Sequence, residues 1–269
     1  MSYPNYPIIG VKGVARSGKD TVAAMLAEHL NGVLVAQADP MKRFAQDVFE
    51  FDEDQLWGGA RKEALDVRID ELAYRQRIRS NFEFQSLQHL VDWGLLGDDE
   101  EAPRNTQEYR LLRDWFQGFL TDGKNFSPRV VLQTLGTEFG RNVSLEMWSD
   151  YALDTAEQLL EGGYGYTRTD GLVIARDVPP PAWVLITDVR FRNEALNIKA
   201  RGGWLLEVQN PELNGTLTAQ VGIAGHASET QVALIPRTWN NITFSNDKRL
   251  GLDAARVKAA RVAHEVFGV

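Results

Sequence analysis

The chain of 269 residues contains no cysteine. Disulfides, thiolate metal sites and a cysteine nucleophile are therefore excluded, and a reducing compartment is allowed. Histidine is nearly as scarce. His29, His89, His226 and His264 are scattered, and no pair has the close spacing of a zinc site, so no structural metal is expected. Positive charge is also in short supply, with 29 Lys and Arg against 37 Asp and Glu and a net charge of −8. Sequence-independent binding to a nucleic-acid backbone needs a basic face, so no nucleic-acid polymer is expected as a partner. No apolar run approaches the ~20 residues of a membrane span, and the opening Met-Ser-Tyr-Pro-Asn-Tyr lacks a basic region followed by an apolar one. A cytoplasmic protein with no membrane partner is the expectation. What the chain does have is core material. At 43% hydrophobic residues, it can build one α/β domain with a sizeable insertion, or two small domains.

The most informative stretch is Gly-Val-Ala-Arg-Ser-Gly-Lys-Asp-Thr, from Gly13 to Thr21. Gly13, four residues, Gly18 and Lys19 fit the G-x-x-x-x-G-K frame, in which glycines let backbone N–H groups face phosphate oxygens and the lysine supplies charge. The context fits as well. A β-rich run precedes the loop, and apolar residues at helical spacing follow from Thr21 to Leu30, whose helix would add its positive N-terminal end. One departure is plain: Asp20 stands where the frame wants Ser or Thr, and the hydroxyl comes one place late at Thr21. Either Thr21 supplies the magnesium-side hydroxyl from a shifted register, or metal is held mostly by nucleotide, waters and carboxylates.

Strand-like runs recur at Ile8 to Val14, Gly32 to Ala36, Trp183 to Thr187, Trp204 to Val208 and Ile242 to Phe244. They are short and apolar without clean alternation, which suits a parallel sheet covered on both faces. Helical patterns lie at Thr21 to Leu30, Pro40 to Phe49, Asn193 to Ala200 and Leu252 to Phe267, completing a βαβ series. Between the second and third runs lie more helical patterns, at Glu63 to Ile78, Thr106 to Leu120, Pro128 to Phe139 and Leu145 to Leu160. These read as a helical insertion. The expected division is a core of 1–50 plus 182–269 and an insertion of 51–181. The acidic stretch Gly97 to Glu101 reads as a solvated loop, and Gly162 to Pro181 as a surface hairpin or loop.

Several residues could carry chemistry. Asp39 follows the second strand and either accepts a sugar hydroxyl, touches metal or caps the helix that Pro40 begins. Lys42 and Arg43 read first as solvated cations. At the end of the third run, Thr187-Asp188-Val189-Arg190 leads to Arg192, Asn193 and Glu194. Asp188 could hold magnesium through water or order an acceptor, and Arg190 could grip transferring phosphates with its planar fork; alternatively Asp188 caps a helix and Glu194 pairs with a surface cation. In the insertion, Arg61, Lys62, Arg68, Arg129, Gln133, Gly136, Thr137 and Arg141 place cations and amides near glycines and aromatics. Such a set suits a nucleoside monophosphate: arginines for its phosphate, Gln133 for base edges, and Trp148 or Phe139 for stacking. Arg75, Arg77 and Arg79 read as an exposed helix face.

In this order the blocks resemble the bacteriophage deoxynucleoside monophosphate kinases, a branch of the P-loop nucleoside monophosphate kinases. The likeness is carried by Gly13 to Thr21 with its Lys-Asp-Thr variation, Asp39 to Lys42, Arg61 to Glu63, Arg129 with Leu132 to Thr137, and Met147-Trp148. Asp188 to Glu194, His226 to Glu229 and Ile242 to Asp247 continue it, whereas residues around 83–125 and 165–181 do not obviously match. The resemblance implies an α/β P-loop kinase fold with a five-stranded parallel sheet flanked by helices and a large helical insertion. It implies transfer of a phosphoryl group from ATP, with Mg2+, to a deoxynucleoside monophosphate, in the host cytoplasm if the chain is phage-encoded; a homodimer is left open. Lys19, Arg16, Asp188 and Arg190 would be catalytic. Gly13, Ala15, Arg16, Ser17, Gly18, Lys19, Asp20 and Thr21 would bind ATP, with Asn246 and Lys248 near the adenine, Asp20 and Thr21 on the metal side, and residues 212–238 as a lid or acceptor-side loop. Asp39, Lys42, Arg61, Lys62, Arg68, Arg129, Gln133, Gly136, Thr137, Arg141, Trp148, Asp188 and Glu194 would bind the acceptor. Two other readings stay open: a P-loop kinase for dephospho-coenzyme A or phosphomevalonate, and a nucleotide switch that phosphorylates nothing.

Overall fold

The computed structural model describes residues 6–58, 60–97, 101–122, 126–213 and 230–269. In chain order it begins with β1 (Ile8–Lys12), α1 (Lys19–Leu30), β2 (Gly32–Ala36), α2 (Asp39–Phe49), α3 (Glu53–Leu56), α4 (Leu72–Asp92), α5 (Gln107–Asp122) and α6 (Pro128–Thr134). A π-helical turn, Leu135–Gly140, leads to α7 (Arg141–Val143) and α8 (Met147–Glu161). Then come β3 (Tyr164–Thr167), β4 (Gly171–Ile174), β5 (Trp183–Val189), α9 (Arg192–Ala200), β6 (Trp204–Gln209), β7 (Ile242–Ser245) and α10 (Gly251–Val262). The described residues fall into two compact units, one of 6–37, 152–213 and 230–269, the other of 38–151.

The first unit is an α/β layer. Its sheet has five parallel strands in the order β2-β5-β1-β6-β7. All five residues of β1 are buried, as expected of a central strand covered on both faces. Alternate side chains divide between the faces. Ile9 and Val11 pack with α1 and α10, while Ile8 packs with Ile198 of α9 and with Ala152, Leu153, Ala156 and Leu159 of α8. Gly10 lets α9 approach closely, since a Cβ there would lie 2.5 Å from Ile198 Cδ1. At the far end, Phe267 sets its ring against Trp183 and Trp204, at 4.8 and 5.3 Å between centroids. The five expected strands all form, each within two residues of the expected ends. The stretch read as a hairpin or loop contains the antiparallel pair β3-β4.

The second unit is helical around an aromatic core. Phe44, Phe49, Phe51, Phe82, Phe116 and Phe126 are fully buried, and Phe82 stacks on Phe116 at 4.3 Å. Tyr74, Ile78 and Phe82, four apart on α4, present one face to α2, and Tyr74 Oη donates to the Phe49 carbonyl at 2.6 Å. Arg77 lies on the outer face and pairs with Glu50 at 3.3 Å.

Three differences from the sequence expectation have physical causes. The helix expected at Glu63 to Ile78 starts at Leu72 and runs to Asp92, because the Asp66 carboxylate accepts the Arg68 N–H at 3.1 Å and forms a separate turn, Val67–Asp70. Helix α2, expected with the sheet, belongs to the helical unit, where Phe44, Ala45, Val48 and Phe49 are core. Residues 152–181, expected with the insertion, belong to the sheet's unit through the α8 contacts above. Of the acidic stretch, residues 98–100 lie outside the described residues, as do 214–229 of the expected lid, which include His226 to Glu229.

Candidate phosphate-binding site

Beyond Lys12 the chain leaves β1, turns through Gly13 to Gly18, and enters α1 at Lys19. Two left-handed residues shape the turn, Arg16 at φ 65° and Gly18 at φ 83°. Left-handed residues alternating with ordinary ones are the backbone pattern of anion-binding nests; here the Ser17 N–H donates within the loop, to the Val14 carbonyl at 3.1 Å. Among the described residues no side chain caps α1, whose N-cap position is Gly18. Gly13 is required by close approach: a Cβ there would lie 2.6 Å from Ser17 Oγ and 2.7 Å from the Val208 carbonyl. Ser17 is wholly buried, and its hydroxyl has no hydrogen-bond partner among the described residues. Asn246 Nδ2 donates to the Ser17 carbonyl at 2.9 Å, and Lys248 lies against Gly18.

The Lys19 ammonium sits between two carboxylates, each at 2.7 Å: Asp20 Oδ1 from the next residue and Asp188 Oδ1 from β5. Arg190 Nη2 reaches the same Asp188 oxygen at 3.4 Å. Burial works to deprotonate Lys19, but the attraction of Asp188 and Asp20 outweighs it and holds the ammonium above its ordinary range. Asp188 is left-handed, at φ 66°, which Asp tolerates better than most side chains. Glu194 holds the start of α9, accepting the N–H groups of Arg190 at 2.8 Å and Phe191 at 3.0 Å. Asp188 is therefore turned to Lys19 while Glu194, buried at 5% exposure, closes the helix. Asp20, Thr21 and Arg16 are exposed. The expected donor-side residues thus converge within the first unit.

The expected acceptor-side residues divide differently. In the second unit, the buried Asp39 is the first residue of α2 rather than its cap, and its carboxylate accepts from Lys42 Nζ at 3.0 Å and from Trp57 Nε1 at 3.2 Å. The Lys42 ammonium lies 5.5 Å from the centre of the Trp57 ring. Met41, on the same helix, packs against Gly136 in the π-helical turn. Gln133 is buried nearby in sequence, and its carbonyl accepts from Thr137 Oγ1 at 2.7 Å. Elsewhere, Arg129 pairs with Glu63 at 2.9 Å, Arg61 pairs with Asp52 at 2.9 Å on the surface, and Lys62 donates to the Leu56 carbonyl at 3.3 Å. Arg68 is bound to Asp66 at 2.5 Å, and Arg141 is partly exposed in α7. Trp148 and Phe139 are core residues: Trp148 is 6% exposed, packs edge to face on Trp93 at 5.3 Å, and donates its indole N–H to the Gly136 carbonyl at 3.0 Å.

Trp57 and Lys12 escaped the sequence reading. For Trp57 a signal existed, an aromatic followed by Gly58 and Gly59 just before Arg61-Lys62. Lys12 is 1% exposed and pairs with Glu207 at 3.3 Å, and its burial, opposed by Glu207, leaves its pKa below the ordinary lysine value. Nothing in an apolar strand pattern marks a lysine that is paired from the neighbouring strand.

Among the described residues there is no cluster of three or more His, Asp or Glu that could hold a metal alone. The donor set does fit a hard cation that brings ligands of its own, since two carboxylates already converge on one point at Lys19. Also among the described residues, no helix is long and apolar enough to cross a membrane.

No protein-family model matches the chain. It is 25% identical over 245 residues to a protein of Acanthamoeba polyphaga mimivirus named "Putative deoxynucleotide monophosphate kinase", covering 89% of this chain and 88% of that one.

Proposed function

We propose that the chain is an ATP-dependent kinase that converts deoxynucleoside monophosphates to diphosphates, a reaction that in a virus would supply DNA synthesis. The observation that carries this reading is Lys19, held by Asp20 and Asp188 at an uncapped helix N-terminus that follows a left-handed loop. The likeness to the mimivirus protein along most of both chains supports it.

In this reading an oxygen of the acceptor's phosphate attacks the γ-phosphorus of ATP as the bond to the bridging β–γ oxygen breaks, and ADP leaves with that electron pair. The attacking oxygen is already anionic at neutral pH, so no general base is needed. Catalysis then rests on alignment and charge neutralisation. Amides of the loop and of α1 hold the donor's phosphates. Lys19 exchanges a carboxylate for phosphate oxygens, and Arg16 and Arg190 neutralise charge on the transferring group. Asp20, Thr21 and, through water, Asp188 would hold magnesium, which when bound neutralises the β- and γ-phosphate oxygens. Asp39, Lys42, Arg129, Gln133 and Arg141 would be the acceptor's polar contacts.

A coupled assay of ADP release over dAMP, dGMP, dCMP and dTMP, with ATP and magnesium, tests the reading. At least one should turn over, and Lys19→Ala should lose about a hundredfold or more, the scale of removing a group that stabilises transition-state charge. Absence of turnover on all four would refute it. Activity on dephospho-coenzyme A or phosphomevalonate instead would move the chain to another acceptor class, and triphosphate binding without monophosphate binding would make it a switch.

A further inference from the structure

Asn246, which the resemblance places near the adenine, is bonded in this structure to the loop between β1 and α1. It is 8% exposed, and its side-chain amide donates to the Ser17 carbonyl at 2.9 Å from the far side of the sheet's sequence. A carbonyl only accepts, so the nitrogen of the amide must face it. Neighbouring bonds fix Asn246. Its own N–H donates to the Gln209 carbonyl at 2.7 Å, the Ser245 carbonyl accepts from Lys258 Nζ at 2.8 Å, and Asp247 accepts the Arg249 N–H at 3.1 Å. The contact with the loop is tight: a Cβ on Gly18 would lie 2.3 Å from Asn246 Nδ2.

The Ser17 carbonyl and the Gly18 N–H belong to one peptide unit. In a planar trans peptide the two point in opposite directions. A carbonyl tied to Asn246 therefore turns the Gly18 N–H to the other side, away from Asn246. Without that tie, rotation of this one peptide would present an oxygen to the phosphates in place of a donor. Glycine at 18 makes such rotation inexpensive, because its backbone has few excluded conformations.

We infer that Asn246 is a positioning residue for the phosphate loop: it holds the Ser17 carbonyl away from the bound phosphates so that the Gly18 N–H faces them. This rests on the phosphate-binding reading of the loop, but not on the identity of the acceptor. It makes a demand that an adenine contact would not: the effect of Asn246 must be felt by a bare polyphosphate.

Calorimetry with ATP, inorganic tripolyphosphate and adenosine on the whole chain separates the cases. Asn246→Asp keeps the shape but sets an acceptor against the Ser17 carbonyl. ATP and tripolyphosphate should weaken by the same factor, about tenfold or more, as expected when a good hydrogen bond becomes a repulsion. Adenosine binding should not change. A loss confined to ATP, with tripolyphosphate unaffected, would overturn the inference and make Asn246 a base contact. If Asn246→Asp does not fold, Asn246→Ser carries the same comparison with a smaller expected loss of about threefold. In the unsubstituted protein, tripolyphosphate should shift the Gly18 amide resonance, and an unmoved Gly18 amide would also overturn the inference. Failure of the unsubstituted protein to bind either polyphosphate is a different result, and would refute the phosphate-loop reading itself.

Discussion

Replacing Asp188 by Asn removes the charge that holds Lys19 at 2.7 Å and that Arg190 reaches at 3.4 Å. Asn tolerates the left-handed backbone at φ 66° about as well as Asp does, so the backbone is not the variable. The side chains of Lys19 and Asp188 are 11% and 15% exposed, so their attraction is poorly screened. Asp20, the remaining partner, is 75% exposed in its side chain, and its attraction is weakened by water. Removing one partner of a buried pair costs about 3–5 kcal/mol. Here an amide oxygen can still accept from Lys19, and Asp20 stays, so the expected loss is smaller, about 1–2 kcal/mol. The pH dependence gives the sign. Lys19 is held above its ordinary range, so its contribution is fully present below the unfolded lysine value of about 10.4 and is lost as pH rises through the higher folded value. The gap in stability between the parent and Asp188→Asn should therefore be widest near neutrality and should close at strongly alkaline pH. Urea unfolding of both proteins from neutral to alkaline pH, followed by far-ultraviolet dichroism, measures this. Equal stability at pH 7, or a gap that widens with pH, would refute the reasoning.

Three further substitutions have outcomes set by the same packing and burial. Gly140→Ala would place a Cβ 2.3 Å from Trp148 Nε1, and should lower the unfolding free energy of the helical unit by about 1–3 kcal/mol, as overpacking does; an unshifted denaturation midpoint would show that Trp148 yields freely. Tyr74→Phe deletes the buried hydroxyl that donates to the Phe49 carbonyl and should cost about 1–3 kcal/mol, read by tryptophan fluorescence during denaturation. Lys12 is held below its ordinary pKa, so the unfolded chain binds more protons than the folded one between the folded value and about 10.4, and stability through this group rises with pH there. Lys12→Met should abolish that rise in a stability-against-pH profile, and a profile unchanged by the substitution would argue against burial as the cause.

Much of the sheet was legible because β-branched apolar runs buried on both faces leave a strong local signature; β2 even runs from Gly32 to Ala36 as expected. The turn from Gly13 to Gly18 was legible for a similar reason, since close approach at Gly13 and the left-handed backbone at Gly18 call for glycine. What the sequence hid was mostly orientation. An aromatic near glycines, as Trp148 is near Gly136 and Gly140, reads equally as a stacking platform or as core, and only the three-dimensional fit of its indole over Gly140 decides. Asp188 gave no sign of its left-handed backbone, which is set by tertiary contacts. The beginning of α4 was misplaced because Asp66 offers the backbone a turn that competes with the helix, an effect worth too little to appear in apolar periodicity.

The strand order also bears on synthesis. In space β5 lies between β1 and β2, pairing with both, yet it follows β2 by roughly 150 residues. At about 5–20 residues per second, a ribosome needs on the order of ten to thirty seconds to make that stretch. For that interval the nascent Ile8–Lys12 and Gly32–Ala36 have emerged without the strand that will join them, while residues 38–151 of the helical unit have time to collapse around their aromatic core. Two apolar, unpaired strands held in waiting are a hazard for aggregation, so the yield of native protein should depend on how fast the chain is made and on how well chaperones shield its first forty residues.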